Sequence, residues 1–434
     1  MKILWATPWN KDSAIARVGA MVIEELQRMR VTVCVVRTEV AALVESKGFP
    51  SPPLARFPFQ VGSLEGFDAV VVNFGDNWPF HGKGLQFLTA TPCIAVLHDA
   101  TLFNFYREEA HFSGNPDAVT KFFNEASADY GPLASSSADF KFGDADWNMT
   151  AAEQWPCMHK IAAQAHAVVV HSNHCIECLP QPVRCKTHVL MLPAFATPWK
   201  QPAPPLLDGG QILLCTIGHI NENKRVASVI KAIAASAVLK ERVIYVLAGP
   251  IEDALRDALQ ALAADLGLRG LRVLGRVTDR EMSECLNASH IVCCLRHPTI
   301  EGGSASALEV LQYGRPTLVT DSGFYRQIPD EYVWKVDPNR EEPDIIRHLE
   351  NICSDYSKAL EKAGRSPAWV SDNCSAKHYA EKIVKICLSL TPCEAVSHAL
   401  EHIQTMASSF GVPANDPLRQ RLSSVSKSLF QHGQ

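Results

Sequence analysis

Residues 291–316 read IVCCLRHPTIEGGSASALEVLQYGRP. The first five residues form a continuous apolar run, which is typical of a strand buried on both faces of a parallel sheet. A loop with glycines and serines follows, a helix is predicted to begin near residues 304–306, and Gly314 with Pro316 predicts its end. The stretch therefore predicts one strand–loop–helix unit of an α/β sheet.

Apolar runs of the same kind recur along the chain and alternate with helical patterns. Residues 13–30, 226–239 and 254–266 carry apolar side chains at steps of three and four, which predicts helices. Two series of such units predict two doubly wound α/β domains. The predicted strands are residues 2–6, 32–37, 69–74, 93–98, 167–171 and 187–192 in the first series, and 212–218, 243–248, 271–274, 291–295, 317–320 and 333–336 in the second.

A proline-rich stretch at residues 193–205, followed by Gly209 and Gly210, separates the two series and predicts a linker. We therefore predict Rossmann-like domains over residues 1–195 and 210–375 and a helical extension over residues 376–434. The carboxyl ends of the strands would face a cleft, where open α/β sheets bind ligands.

Two segments lie outside the alternation. Residues 103–156 are irregular in pattern, and so long an insertion is more often functional than a simple connector. Apolar stripes at residues 396–410 and 418–429 predict two further helices. Core packing is the simpler role for these stripes, and a homodimer contact is the alternative.

Composition excludes several classes of protein. The 434 residues include 41 Lys and Arg against 46 Asp and Glu, and a net charge of −5 gives no basis for binding nucleic acid by bulk charge. No secretory pattern and no run of about 18 apolar residues is present. The 14 cysteines are scattered through apolar runs, which favours reduced core residues and a cytoplasmic protein.

Three loops carry candidate chemistry. The loop at residues 301–306 joins glycines to a helix start, which suits an anion, although a capping box between Ser306 and Glu309 is the simpler interpretation. The loop after the strand at 212–218 holds two neighbouring cations, which suit a diphosphate or a solvated turn. The loop at residues 5–15 lacks the glycine pattern of nicotinamide-binding domains, which weakens that alternative.

Together these loops resemble glycosyltransferase family 4, whose members are retaining enzymes of the GT-B fold. Glu301 and Glu309 match its E-x7-E motif, and Lys224 matches its phosphate-contacting lysine. The resemblance spans residues 2–390 and implies a GT-B architecture of two domains facing a cleft, with C-terminal helices. Further similar landmarks are residues 13–17, His98 with Asp99, residues 169–172 and residues 316–329.

The resemblance implies a nucleotide-sugar bound to the second domain. Glu301 would contact a sugar hydroxyl and steady positive charge at the anomeric carbon, His98 would lie near the transferred sugar, and Lys224 would pair with the diphosphate. Glu309 would accept hydrogen bonds from the ribose hydroxyls, and backbone near Val277 would meet the base. The other implied donor-binding residues are Ala14, Ile15, Gly218, His219, Arg225, Gly302, Gly303, Ser304, Ala305 and Ser306.

One position departs from the family pattern. Many members carry Arg five residues before the lysine, where this chain has His219. A neutral imidazole neutralises phosphate less well than a guanidinium does, and Arg225 is a candidate replacement.

No metal cofactor is expected. Asp144-Ala145-Asp146 is similar to the D-x-D metal motif of another glycosyltransferase fold, but it lies in the irregular insertion and not after a strand. Cys175 and Cys178 form a CxxC pair without a second pair at regular spacing, which argues against zinc.

The resemblance implies a retaining hexosyltransferase that moves a sugar from a nucleotide-sugar to a hydroxyl acceptor, such as a surface glycan or a lipid-linked glycan. A nucleotide-sugar 2-epimerase of the same fold and a catalytically silent nucleotide-sugar-binding protein are the alternatives. Residues 1–195 carry 15 Lys and Arg against 19 Asp and Glu, so contact with the inner membrane face is expected to be peripheral at most.

Overall fold

The computed structural model of the chain describes residues 1–11, 13–40, 42–44, 66–88, 92–133, 145–197, 200–390 and 416, with only the backbone for residues 145–149. The described residues form two six-stranded sheets joined by helical connections. Every strand pairing in them is parallel. The predicted α/β class is therefore confirmed.

The first sheet has the strand order β2-β1-β3-β4-β5-β6. Each predicted strand of this series forms, and only β6 ends well before its predicted end, as an edge strand with one neighbour. The strands are β1 (Lys2–Thr7), β2 (Thr32–Arg37), β3 (Ala69–Phe74), β4 (Cys93–Leu97), β5 (Ala167–Val170) and β6 (Thr187–Val189).

The second sheet has the order β12-β11-β10-β7-β8-β9. Its strands also lie within a residue of their predicted ends. They are β7 (Ile212–Ile217), β8 (Val243–Ala248), β9 (Leu271–Gly275), β10 (Ile291–Cys294), β11 (Thr317–Thr320) and β12 (Trp334–Val336).

The helices connect these strands and continue after β12. They are α1 (Ala14–Arg28), α2 (Trp78–His81), α3 (Phe103–Phe112), α4 (Ala118–Tyr130), α5 (Ala145–Gln154), α6 (His159–Gln164), α7 (Asn173–Glu177), α8 (Gln181–Arg184), α9 (Val226–Ala235), α10 (Ala237–Arg242), α11 (Asp253–Asp265), α12 (Asp279–Ala288), α13 (Ala305–Gln312), α14 (Glu341–Ser354), α15 (Tyr356–Ala363), α16 (Ser366–Asn373) and α17 (Ala376–Ser389).

The first sheet is buried on both faces. Ile3 and Trp5 of β1 pack into one apolar cluster, while Leu4 and Ala6 pack into another. Because successive side chains of a strand point to opposite faces, a strand covered on both sides needs apolar residues at every position. This packing explains why the strands read as continuous apolar runs.

Two predictions about helices are wrong in detail. Residues 226–239 form two helices, because Ser236 adopts an extended conformation and its hydroxyl accepts a hydrogen bond from the Leu239 N–H at the start of α10. The described part of the insertion at residues 103–156 is mostly helical and not irregular, since it contains α3, α4 and α5. Phe103, Phe122 and Trp155 bury together there in a small cluster of their own.

The last described helix, α17, packs on α1 of the first series. Tyr379 and Ile383 share an apolar cluster with Val18 and Val22. Beyond α17 the predicted stripes at 396–410 and 418–429 lie outside the described residues, as does Asp144. The domain boundaries at residues 195, 210 and 375 stay a prediction.

Within the described part of the chain, no helix is both long and apolar enough to cross a membrane. The cysteines described there are all free thiols, and most of them are buried. No group of three His, Cys, Asp or Glu side chains among the described residues is arranged to hold a metal ion.

Candidate active site

A pocket of about 220 Å³ lies where loops from the two sheets meet. The loops follow the carboxyl ends of β4 and β10, and the start of α1 closes a third side. The lining residues are Ala14, Ile15, Val18, His98, Asp99, Leu192, Arg296, Glu301, Gly303, Ser304, Ala305 and Ser306.

The loops after β4 and β10 are joined by their backbones. The Ala100 N–H donates to the Ile300 carbonyl at 2.8 Å, and the Gly302 N–H donates to the His98 carbonyl at 3.0 Å. These bonds place Asp99 opposite Glu301 in a short antiparallel bridge. The loop carrying His98 and the loop carrying Glu301 therefore meet directly at the pocket.

Gly302 allows this close approach. A Cβ atom at this position would lie 2.6 Å from the His98 carbonyl oxygen and 3.1 Å from Cys175 Sγ. We expect Gly302→Ala to push the two loops apart and to cost about 1–3 kcal/mol of stability through overpacking. Urea unfolding measures the cost, and an unchanged midpoint together with unchanged donor turnover would contradict this prediction.

The Glu301 carboxylate is held by two neighbours. The Tyr325 hydroxyl donates to its Oε1 atom at 2.6 Å, and the Arg296 Nε atom forms an ion pair with the same oxygen at 3.2 Å. Burial raises the pKa of Tyr325 well above its usual range, so this hydroxyl keeps its proton and remains a donor. Glu301 thus lines the pocket with its orientation fixed.

Helix α13 presents its N-terminus to the same pocket. Ser304 is the N-cap, because its hydroxyl accepts a hydrogen bond from the Ala307 N–H at 3.3 Å. The capping box between Ser306 and Glu309 is therefore not formed, since Ser306 already lies inside the first turn. The first N–H groups of α13 have no partner within the helix and carry the positive end of its dipole.

Lys224 is buried beside this helix start. Its ammonium donates to the Ile217 carbonyl at the end of β7. Gly218 adopts a φ of +80°, and a Cβ there would lie 3.4 Å from Lys224 Nζ and 3.5 Å from Ser306 Oγ. The structure therefore brings the lysine loop and the α13 loop together around Gly218.

The charge on Lys224 is tuned by this environment. Burial, and next the positive charge of Arg296, lower the pKa of Lys224 to about 8, although Glu301 acts in the opposite direction. The ammonium remains protonated at neutral pH, because this pKa is still above 7. It is a cation whose hydration has been removed, and an anion bound beside it would interact strongly with it.

His98 is held in a buried network. Its Nε2 atom donates to Asn73 Oδ1 at 3.0 Å, and its Nδ1 atom lies 3.0 Å from Nε2 of His171. Burial lowers the pKa of His98 well below its usual value and that of His171 to about 4. A role beside the transferred sugar would therefore rest on the neutral ring.

Asp99 adds a carboxyl group to the pocket, and the sequence marked it only as a landmark. Its Oδ2 atom accepts a hydrogen bond from the Asp76 N–H at 2.8 Å. Burial raises the pKa of Asp99 to about 6, and the nearby Glu301 adds to this shift. Asp76, buried next to it, has its own pKa raised chiefly by burial.

Glu309 lies one turn into α13, near the charged side chains of Arg17 on α1 and Asp279 on α12. Burial raises its pKa, while Arg17 of α1 opposes the shift. The Arg17 guanidinium lies 3.7 Å from Asp279 of α12 and 4.4 Å from the centre of the Phe195 ring. Arg17 therefore connects α1 of the first domain series to α12 of the second. No local sequence pattern indicates this contact.

Seven predicted site residues do not line this pocket. Gly218, Lys224, Gly302 and Glu309 adjoin residues that line it, and the other three are His219, Val277 and Arg225. His219 is exposed, and Val277 lines a separate groove of about 600 Å³ along β7 and β8. Arg225 forms a bidentate ion pair with Glu341, with N–O distances of 2.9–3.0 Å. Arg225 also adopts a left-handed conformation, so the structure directs this cation to α14 and does not support it as the replacement phosphate ligand.

Comparison with known proteins gives a family match for the second half of the chain. Residues 198–366 match the family model described as "Glycosyl transferases group 1". The chain carries a glycosyl transferases group 1 domain. This group 1 domain includes β7–β12 and the loops that contribute Lys224, Glu301 and Glu309.

One curated relative is D-rhamnosyltransferase WbpZ of Pseudomonas aeruginosa, which is 32% identical over 127 residues. That alignment covers 29% of this chain and 32% of the relative, so it spans about a third of that protein.

Solved structures extend the likeness beyond the group 1 domain. HepE of Anabaena superposes with a TM-score of 0.59 and 15% identity over 90% of this chain and 100% of that one. Sucrose-phosphate synthase of Thermosynechococcus elongatus superposes with a TM-score of 0.58 and 13% identity over 90% of this chain and 99% of its own. At such identities the likeness shows the fold, and it confirms the predicted GT-B architecture.

Proposed function

We propose that the protein is a retaining glycosyltransferase of family 4, which transfers a hexose from a nucleotide-sugar to a hydroxyl acceptor in surface polysaccharide or glycan synthesis. The observation that carries this proposal is the meeting of Lys224, Glu301 and the α13 N-terminus at the junction of the two sheets. A buried cation, free N–H groups and a fixed carboxylate are what a sugar diphosphate requires.

The names of similar proteins support the same direction. HepE was solved in complex with UDP and glucose, and WbpZ is named as a D-rhamnosyltransferase. WaaG, with a TM-score of 0.54 and 13% identity over 89% of this chain and 99% of its own, is described as a glycosyltransferase involved in lipopolysaccharide biosynthesis. We propose a related donor and acceptor class for this chain.

The donor diphosphate would lie between Lys224 and the first turn of α13. The ammonium and the helix dipole would both stabilise the negative charge that grows on the diphosphate as the sugar leaves. In this proposal no metal ion is needed for the leaving group, and a chelator should leave turnover unchanged.

The chemical step would retain the configuration of the sugar. The bond between the anomeric carbon and the phosphate oxygen breaks, and the acceptor oxygen bonds to the same face of that carbon. The acceptor proton passes to the departing phosphate oxygen, so no enzyme nucleophile is consumed. Glu301 would stabilise the positive charge at the anomeric carbon, and His98 would shape the sugar site.

The acceptor would bind to the first series of strands and to the helices α3–α5 beside the pocket. We propose that the acceptor is a glycan or a lipid-linked glycan, that the protein works in the cytoplasm with at most peripheral contact to the inner membrane face, and that a homodimer is its candidate assembly.

A thermal-shift screen with UDP-, GDP-, dTDP- and ADP-sugars tests the donor site, because a ligand that binds only the folded state raises the unfolding midpoint. The selected donor is then incubated with hydroxyl acceptors. Transfer with retained configuration supports the proposal. Rearrangement of the donor without an acceptor would instead identify a 2-epimerase, and binding without turnover on any acceptor would identify a silent binding protein.

Glu309 provides a separate test of the nucleotide half of the site. We expect Glu309→Gln to weaken nucleotide binding about 10-fold or more, because one charge-assisted hydrogen bond to a ribose hydroxyl contributes about 1.5–3 kcal/mol. Titration calorimetry with the selected nucleoside diphosphate measures the loss. The surface variant Glu342→Gln is the matched control, and equal affinities of the two variants would contradict the ribose role.

A further inference from the structure

Arg296 is a largely buried cation that follows β10 on the pocket lining, with 17% of its side chain exposed. Its Nη1 atom donates to the side-chain oxygens of Asn221, at 3.2 Å, and of Asn223. Both asparagines belong to the loop that carries Lys224. The guanidinium is therefore held by the lysine loop on one side and by the Glu301 ion pair on the other.

Lys224 and Arg296 are two neighbouring cations, and one carboxylate acts on both of them. Arg296 lies close enough to Lys224 to lower the pKa of its ammonium, and Glu301 is the carboxylate that acts on both cations. Burying a second cation is unfavourable unless an anion compensates it. The positive end of α13 adds to the positive charge around Lys224 and Arg296, so this part of the pocket is prepared for a negatively charged ligand, while Asp99 adds a second carboxyl group elsewhere in the lining.

The contacts of Arg296 do not use all the N–H donors of its guanidinium. The ion pair and the hydrogen bonds to the asparagines use Nε and Nη1. The Tyr325 hydroxyl, which donates its proton to Glu301, accepts a further hydrogen bond from the guanidinium. A guanidinium has five N–H donors, so these contacts leave at least one for a ligand in a pocket that also contains the α13 N-terminus, and its planar shape suits a phosphate.

We propose that Arg296 is the second phosphate-binding cation of the site and grips the donor diphosphate together with Lys224. Asn221 and Asn223 are its positioning residues. This inference rests on the proposed nucleotide-sugar site. It assigns the role to Arg296 because His219 is exposed and Arg225 is committed to Glu341.

Binding measurements with the full chain separate this role from a purely structural one. The probe is whichever of UDP, GDP, dTDP and ADP gives the largest thermal shift, together with its nucleoside. We expect Arg296→Gln to weaken diphosphate binding about 10- to 100-fold and to leave nucleoside binding within about twofold. Arg296→Lys keeps the charge but loses the fork, and we expect an intermediate loss.

Arg28→Gln is the matched control, since Arg28 is exposed and lies at the far end of α1, about 20 Å from Ala14 by helical rise. Wild-type diphosphate affinity in Arg296→Gln with lost turnover would overturn the proposal and leave Arg296 as a support for Glu301. An equal loss for the nucleoside would overturn it too. If Arg296→Gln does not fold, unchanged diphosphate affinity in Arg296→Lys overturns it. Failure of the wild-type chain to bind any of the diphosphates refutes the proposed function itself.

Discussion

Replacing Lys224 by Met is expected to weaken nucleoside diphosphate binding by about two orders of magnitude. The buried ammonium would make charge-assisted hydrogen bonds to the diphosphate, each contributing about 1.5–3 kcal/mol, and Met fills a similar volume without the charge. Turnover should fall further than affinity, because the charge on the diphosphate grows as the sugar leaves. Calorimetry and initial rates on the same preparation measure the two losses.

The fold of this variant should not suffer. Burial and Arg296 lower the pKa of Lys224 to about 8, which means that the folded state disfavours the charged form. We therefore expect the urea midpoint of Lys224→Met at pH 7 to equal or exceed that of the wild-type chain. A variant that loses binding only because it unfolds would contradict the assignment of Lys224 to the diphosphate.

The pH dependence of the wild-type chain tests the same group. A bound diphosphate favours the ammonium, so affinity for the nucleotide-sugar should change little between about pH 7 and the pKa of Lys224, which is about 8. As the pH rises through about 8 the free protein loses the proton that binding requires, and affinity should fall by up to about tenfold per pH unit. The affinity of Lys224→Met should not fall above pH 8. If it falls as in the wild-type chain, the pH dependence belongs to another titrating group.

Glu301→Gln is expected to lower kcat by about 100- to 1,000-fold while donor affinity changes by no more than a few-fold. Gln keeps the size of the side chain and can still accept the Tyr325 hydrogen bond, but it removes the negative charge that would face the anomeric carbon. Losing one preorganised electrostatic contact to a transition state has a cost of this order.

Steady-state rates with the selected donor, combined with donor titration, separate the two effects. The exposed carboxylate Glu331 provides a control on the same domain, and Glu331→Gln should behave as the wild-type chain does. A Glu301→Gln variant with normal kcat would remove Glu301 from the chemical step. Weakened donor binding with unchanged kcat would assign Glu301 to binding alone.

Much of the fold could be predicted because its signals are local. The apolar run at residues 291–295 and the similar runs elsewhere have this form because the strands are covered on both faces. The break at Ser236 is not predicted, and the start of α13 is predicted only to within residues 304–306, because several nearby serines are equally good caps and packing selects among them.

The candidate site was harder to predict from local sequence than the fold. The sequence offers Arg225, which follows Lys224, as a candidate replacement for the missing phosphate-binding arginine. The structure pairs Arg225 with a carboxylate 116 residues away and brings Arg296 to the pocket. An ion pair between such distant residues leaves no local pattern in a sequence.

The two parallel sheets and the loops that follow their strands can be predicted from local sequence, because burial on both faces requires continuous apolar runs and tight turns favour glycine. Which side chains of those loops share a pocket follows from the three-dimensional packing of the chain. The meeting of Asp99 with Glu301 depends on how the two sheets approach each other, whereas Lys224 meets Arg296 because β7 and β10, which are far apart in the chain, are neighbours in the second sheet. That approach is set by side-chain and backbone contacts between the sheets, and no short stretch of sequence contains them.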